Sequence, residues 1–298
     1  MPERQARSRR PAFSIFLHLL YVVSFVVIGY FLVTGHSYYQ TPYKERPRQA
    51  EYRSLRPAGP TGHGFGVVGS AMMIFMLAYS IRKRSRRLAK WGSLRRWLDV
   101  HIYFGIIGPL LIVLHTSFKV QGLVAVSFWS MVAVVASGVL GRYLYLKIPR
   151  NIQGDELGRV DIEQMDTVLT KQLTEASSGA RIVFDRLETA LAPRVREDTG
   201  PVAALAAVLK DDIFRPIRKR RARKLLANEL NLPVRTRDQV ISLVSEKAMM
   251  HRKLILLNKI QQLFHYWHVF HKPFAIIMYV IMAVHITIAV WLGYTWIF

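Results

Sequence analysis

Runs of apolar residues recur along the chain at about 12–34, 64–81, 100–118, 122–146 and 268–297. Crossing a bilayer takes roughly 20 mostly apolar residues. Hydrocarbon offers no water to the peptide groups, so such runs satisfy their backbone internally as helices. The pattern predicts an all-α polytopic membrane bundle of about five transmembrane helices. The first run is expected to remain as a span. Its apolar core is too long for a cleavable signal peptide, and no small-residue cleavage site follows it.

Between the fourth and fifth runs the apolar content falls and charges of both signs mix. The chain is therefore read as spans 1–4 at 1–149, a helical cytoplasmic insert at 150–255, and a membrane-entering helix with span 5 at 256–298. Within the insert, Asp161-x-x-Gln164 reads as a capping box opening a helix to about Ser177. Residues 180–192 carry helical periodicity in Ile182, Val183, Leu187 and Leu191. A third helix is expected from Pro201 towards Ile213, because proline suits a first helical position. Thr236-x-x-Gln239 is a second capping box. The helix it opens meets no break before Pro273, so it is expected to continue as the last span, with Pro273 as a candidate kink.

Charge orients this pattern. Lys and Arg outnumber Asp and Glu by 42 to 19, a net +23. In a soluble chain that excess would raise nucleic-acid binding. Here the cations cluster beside the apolar runs, so we expect anionic lipid headgroups and no nucleic acid as partners. Arg4, Arg7, Arg9 and Arg10 precede the first run, and a basic stretch from Arg82 to Arg96 separates the second from the third. Positive segments stay cytoplasmic. The N-terminus and the insert are thus expected inside, with loop 35–63, turn 119–121 and the C-terminus outside. Loop 35–63 still carries Lys44, Arg46, Arg48, Arg53 and Arg56. The stretch from Arg215 to Lys224 is the densest basic run of the insert. It reads as a surface near anionic lipids, or as a docking patch for an acidic partner.

The candidate chemistry lies in histidines. An ionisable group inside a span is costly and points to function. His101 and His115 lie on the third run, 14 residues apart, and His271 and His285 lie on the fifth, also 14 apart. On a helix, 14 residues return a side chain to within roughly 40° of the same face, about 21 Å further along. The third and fifth runs point the same way, so His101 can face His271 near the inner surface and His115 can face His285 nearer the outer one. Each pair can supply two axial nitrogens to a haem iron, a closed ligation suited to electron transfer. His268 competes with His271 as the inner ligand, although its separation of 17 turns it roughly 100° off the His285 face. Gly105 and Gly108 lie between the two histidines of the third run, and Ser137, Gly138 and Gly141 lie on the fourth. Such small residues allow close backbone approach. Arg142 is a candidate partner for a haem propionate, or a snorkelling anchor. His18, His36 and His63 read as polar residues of the first span and the outer interface, with a quinone pocket or a substitute ligand as the alternative. The chain has no cysteine, which excludes disulfides, thiolate-held iron–sulfur clusters and C-x-x-C-H haem attachment.

With these four histidines the chain resembles the dihaem cytochromes b of respiratory and photosynthetic membranes. The resemblance covers the third to fifth runs. It implies His101, His115, His271 and His285 as axial ligands of two b haems, and electron flow between a quinone and a partner redox protein. A large insert separates the ligand helices here, and the Pro-Glu-Trp-Tyr quinol-oxidation motif is absent. Smaller dihaem subunits that anchor formate dehydrogenases or hydrogenases are similar in scale but distribute their ligands differently.

The leading expectation is an integral subunit of a bacterial inner membrane passing electrons through two b haems to or from a quinone pool. Lys119 and Gln121 are candidate quinone contacts. With no second cofactor motif in the chain, the partner is expected to be a multihaem cytochrome or an iron–sulfur subunit of an oxidoreductase complex. The alternatives are a non-redox scaffold or transporter subunit with a basic docking domain, and a complete ferric or quinone reductase. The last needs a nicotinamide or flavin site, and no GxGxxG fingerprint or Walker A loop occurs.

Overall fold

The computed structural model describes residues 12–147, 164, 167–168, 171, 200–229 and 234–294. The described elements are α1 (Ala12–Thr34), α2 (His36–Gln40), a 3₁₀ turn (Arg46–Arg48), α3 (Tyr52–Leu55), α4 (Pro60–Arg84), a second 3₁₀ turn (Arg87–Lys90), α5 (Leu94–Thr116), α6 (Leu123–Lys147), α7 (Pro201–Glu229) and α8 (Val234–Trp291). Among them are no strands, and five helices are long and apolar enough to cross a bilayer: α1, α4, α5, α6 and the stretch Lys259–Trp291 of α8. Most large apolar side chains of α1 are exposed and only Ile28 is buried, as expected of a helix set against lipid.

The chain divides into two compact units, residues 1–136 with 271–298, and residues 137–270. In the first unit, α4 and α5 form an antiparallel hairpin at close range. A side chain at Gly69 would come within 3.0 Å of the Gly108 carbonyl, and one at Gly108 within 3.3 Å of the Gly69 carbonyl. Without a hydrophobic driving force between helices in lipid, such small-residue contacts supply the packing. Pro109 lies inside α5, where it removes one backbone donor without ending the helix. Around the hairpin, Ile28, Phe65, Tyr103, Ile107, Leu111 and Leu114 form one core, and Tyr21 packs edge-on to Tyr103 at 4.9 Å. A second core of Met73, Met131 and Met278 joins α4, α6 and α8. The Tyr279 hydroxyl donates to the Met73 carbonyl at 2.6 Å, and the Ser127 hydroxyl to the Met278 carbonyl at 3.1 Å.

Residues 35–59 fold back as a cap over the C-terminal end of α5. That helix stops at Ser117 and Phe118, which both adopt positive φ, 47° and 60°. The Ser117 hydroxyl donates to the Leu55 carbonyl at 3.0 Å and accepts from the Tyr38 hydroxyl at 3.2 Å. The first of these bonds takes up the Leu55 carbonyl, which the end of α3 leaves open.

In the second unit, Ala204 and Ala207 of α7 pack with Ile260 and Phe264 of α8 and with Tyr143 of α6. Ala204 lies 25 residues before the end of α7 and Ile260 lies 26 residues after the start of α8, so their contact sets α7 antiparallel to the start of α8. The Tyr143 hydroxyl donates to Asp212 at 2.8 Å, and the Trp267 indole donates to the Ser137 carbonyl at 2.6 Å. Gly141 lies directly under that indole, where a side chain would overlap it.

Two expectations change here. The helix expected from Pro201 to Ile213 runs on to Glu229, through Pro216 and the basic stretch. A proline costs one internal hydrogen bond, but the Ala, Leu, Arg and Lys around it are strong helix formers and carry the helix past it. Thr236 does not cap α8, which is already helical at Val234; a cap residue must itself be non-helical. The helix does continue unbroken through Pro273 into the last span. The Asp161 capping box and the periodic stretch 180–192 lie outside the described residues, with Gln164 itself helical.

The α4–α5 contact yields a prediction. Gly108→Leu is expected to force the helices apart and cost about 1–3 kcal/mol, the range for overpacking a filled interface. Thermal unfolding in detergent should show a lowered midpoint, whereas Gly29→Leu, at a position with open space around it, should leave the midpoint unchanged.

Candidate functional site

The hairpin register places both histidines of α5 in equivalent positions. His115 Nδ1 lies 2.9 Å from the Gly62 carbonyl, and His101 Nδ1 lies 3.3 Å from the Met76 carbonyl. Fourteen residues separate the two histidines on α5, and 14 separate their two partners on α4. Gly108 stands halfway between the histidines and Gly69 halfway between the carbonyls. The glycine contact is thus the centre of an arrangement whose two ends are alike. One turn beyond each carbonyl the residue is small, Gly66 and Ser80, which leaves the second lone pair of the oxygen accessible.

A carbonyl partner at Nδ1 fixes the tautomer: Nδ1 carries the proton and Nε2 is left as the lone-pair nitrogen. The same bond orients the ring. At His115 the fit is tight, since a side chain at Gly66 would come within 2.7 Å of Nδ1.

At the His115 end three imidazoles gather. The ring centres of His115 and His285 are 6.4 Å apart with planes inclined at 61°, and those of His115 and His63 are 6.4 Å apart at 63°. His63 belongs to the first turn of α4 and is half-buried, as is His115, while His285 is exposed on α8. Tyr279 fixes the position of His285, for its bond to Met73 ties α8 to α4 six residues earlier. Sequence spacing had assigned His63 to the interface; only the hairpin register, which sets α4 beside the end of α5, reveals its approach to His115.

At the other end, His101 packs against the ring of Tyr79, 5.1 Å between centres. His271 is half-buried. In the second unit, the His268 Nδ1 lies 2.9 Å from the Phe264 carbonyl of its own helix, and its ring sits against Phe264 and Trp267 at 4.8 and 4.5 Å. Arg142 stacks over the ring of Tyr145 at 5.6 Å. His18 and His36 are exposed, and the His18 Nδ1 turns back to the Ser14 carbonyl. Lys119 and Gln121 are exposed, and the Lys119 ammonium lies 4.1 Å from the centre of the Tyr43 ring.

Arg46 is a site residue that sequence reading passed over. It is 7% exposed although it belongs to the loop cap. Its Nε donates to the Thr41 carbonyl at 2.9 Å, Nη1 to the Ser117 carbonyl at 2.5 Å and Nη2 to the Tyr39 carbonyl at 3.1 Å. Its guanidinium also lies over the rings of Tyr38 and Tyr43. Beside it, the buried Tyr39 hydroxyl has no hydrogen-bond partner among the described residues. Burial pushes that phenol up to about 12, with the Tyr38 ring adding to the shift and the Arg46 charge opposing it.

Comparison of the chain with protein-family models, curated proteins and solved structures gives no match. Among the described residues no three His, Cys, Asp or Glu side chains converge on one metal-ion position. A haem iron asks for only two protein ligands, and the 6.4 Å between the ring centres of His115 and His285 is also the separation of His115 and His63. An imidazole nitrogen binds a metal at about 2 Å with its ring centre about 1 Å behind, so two axial rings on one iron stand about 6 Å apart.

Gly66 carries the prediction from this geometry. Gly66→Val is expected to displace the His115 ring and break its bond to Gly62. Imidazole ¹⁵N spectra should show His115 protonated at Nδ1 in the native chain, and a mixture of tautomers in the variant.

Proposed function

We propose that this chain is a membrane electron-transfer subunit that holds b-type haem between α5 and α8. The observation that carries the reading is the approach of His115 and His285, whose ring centres stand 6.4 Å apart, close to the spacing of two axial ligands. Two further features support it. His115 is already in the tautomer that leaves Nε2 for a metal. His285 is an imidazole exposed on an apolar span, a costly placement in hydrocarbon unless something covers it.

The equivalent setting of His101 against Met76 supports a second haem at that end, with His271 as its other ligand. Haem bound by two imidazoles supplies reversible one-electron transfer. The chain's own part is to fix ring orientation through the α4 carbonyls, to exclude water with the apolar cores and to space the two sites along one helix. His115 has one nitrogen free of the Gly62 bond, so it serves one iron with one partner. We assign that partner as His285, which lies on the long apolar span, rather than His63 at the helix start.

The basic stretch from Arg82 to Arg96 flanks the His101 end, so that end faces the cytoplasm in this reading and the His115 end faces outward. A quinone and a partner redox protein, a multihaem cytochrome or an iron–sulfur subunit, complete the proposed electron path. α7 and the start of α8, which come between spans 4 and 5 in sequence, would then lie on the cytoplasmic side, beside anionic lipid headgroups.

A dithionite-reduced minus oxidised spectrum of the purified protein should show b-type α-bands, with two haems per chain by pyridine haemochrome. His115→Ala and His285→Ala should each remove the same single haem, and His63→Ala should remove none. A spectrum without haem bands would overturn the proposal, and loss of haem in His63→Ala with retention in His285→Ala would reassign the ligand.

A further inference from the structure

Arg46 presents a problem that the haem ligands leave unsolved. Its guanidinium is buried, yet among the described residues no carboxylate lies within ion-pair distance. Three backbone carbonyls take three of its five N–H groups. One of them, Ser117, ends α5, and a helix C-terminus offers only about half a negative charge. A buried full charge without a full counter-charge is costly. The Tyr39 hydroxyl is buried and undonated beside it, which is a second cost. Both deficits are met by one anionic oxygen group, which would accept from the spare Arg46 N–H groups and from the phenol. The exposed Lys119, stacked on the same Tyr43 ring as Arg46, adds positive potential nearby.

The nook and the proposed ligand site share the C-terminal end of α5. Ser117, which Arg46 grips, is two residues past His115, less than one helical turn of about 5.4 Å. A haem seated at His115 carries two carboxylates on one edge, and the nearest polar end of the span is this cap. We propose that Arg46 and Tyr39 bind a carboxylate of the propionate side chains of the haem that His115 ligates. The assignment rests on the haem reading above. A phospholipid phosphate offers the same chemistry, so the test must separate the two sources.

Tyr39→Phe and Arg46→Gln are the variants, with the haem-loaded protein titrated potentiometrically. Tyr39→Phe deletes a hydroxyl that bonds to no described residue, so a purely structural role predicts no change in either potential. Donors at a propionate favour the reduced haem. Both variants are therefore expected to lower the midpoint potential of the haem that His115→Ala removes, and to leave the other unmoved. Reconstitution with haem dimethyl ester, whose carboxylates are blocked, should make native protein and Tyr39→Phe coincide. A shift that survives the dimethyl ester but vanishes on delipidation would overturn the propionate assignment in favour of a lipid phosphate. Unchanged potentials in both variants would overturn the anion site and leave Arg46 as a helix-end clamp. A native chain without haem would remove the function proposed above and this inference with it, whereas the other outcomes bear on this inference alone.

Discussion

The approach of α4 to α5 at Gly69 and Gly108 is the contact on which the rest of the site depends. In lipid, one apolar helix surface has little preference for another over acyl chains. Register must come from shape and from polar groups that only a protein partner can satisfy. The two glycines supply the shape. The bonds from His101 to Met76 and from His115 to Gly62, seven residues away on either side, supply the polar lock. A slip by one residue would turn both imidazoles off their carbonyls and press side chains into the glycine contact. The feature that holds the helices together therefore also fixes the orientation of both rings.

The polar groups at the His115 end extend the same economy. A helix end in or near hydrocarbon must dispose of its open carbonyls. Here Ser117 closes α5 in a left-handed turn and draws in Arg46, Tyr38 and Leu55 from the loop before α4. In the proposed orientation, the basic character of that loop runs against a simple rule that cations stay on the cytoplasmic side. The burial of Arg46 removes part of the contradiction, because that charge serves the interior of the cap and not its surface.

Much of the architecture was legible in the sequence because the bilayer imposes a length and a composition. The five apolar runs correspond to the five helices long enough to span, and the last helix passes Pro273 as its pattern implied. The extent of α7 was not legible. The helix expected from Pro201 towards Ile213 passes Pro216 and reaches Glu229, carried by the summed helical preference of the residues around that proline. His63 looked like an interface residue because nothing in its own segment says that the end of α5 lies beside it.

For this chain the sequence by itself determined how many helices can cross a membrane, and that His101 and His115, like His271 and His285, share a helix face. Those follow from helical periodicity and from the cost of bare backbone in hydrocarbon, both local properties. Only the tertiary structure decided that His115 lies beside both His285 and His63, and that Arg46 lies buried against the end of α5. Such facts depend on which helix faces lie against each other and in what register, and in lipid that choice is made by a few glycine and carbonyl contacts rather than by the hydrophobic pattern.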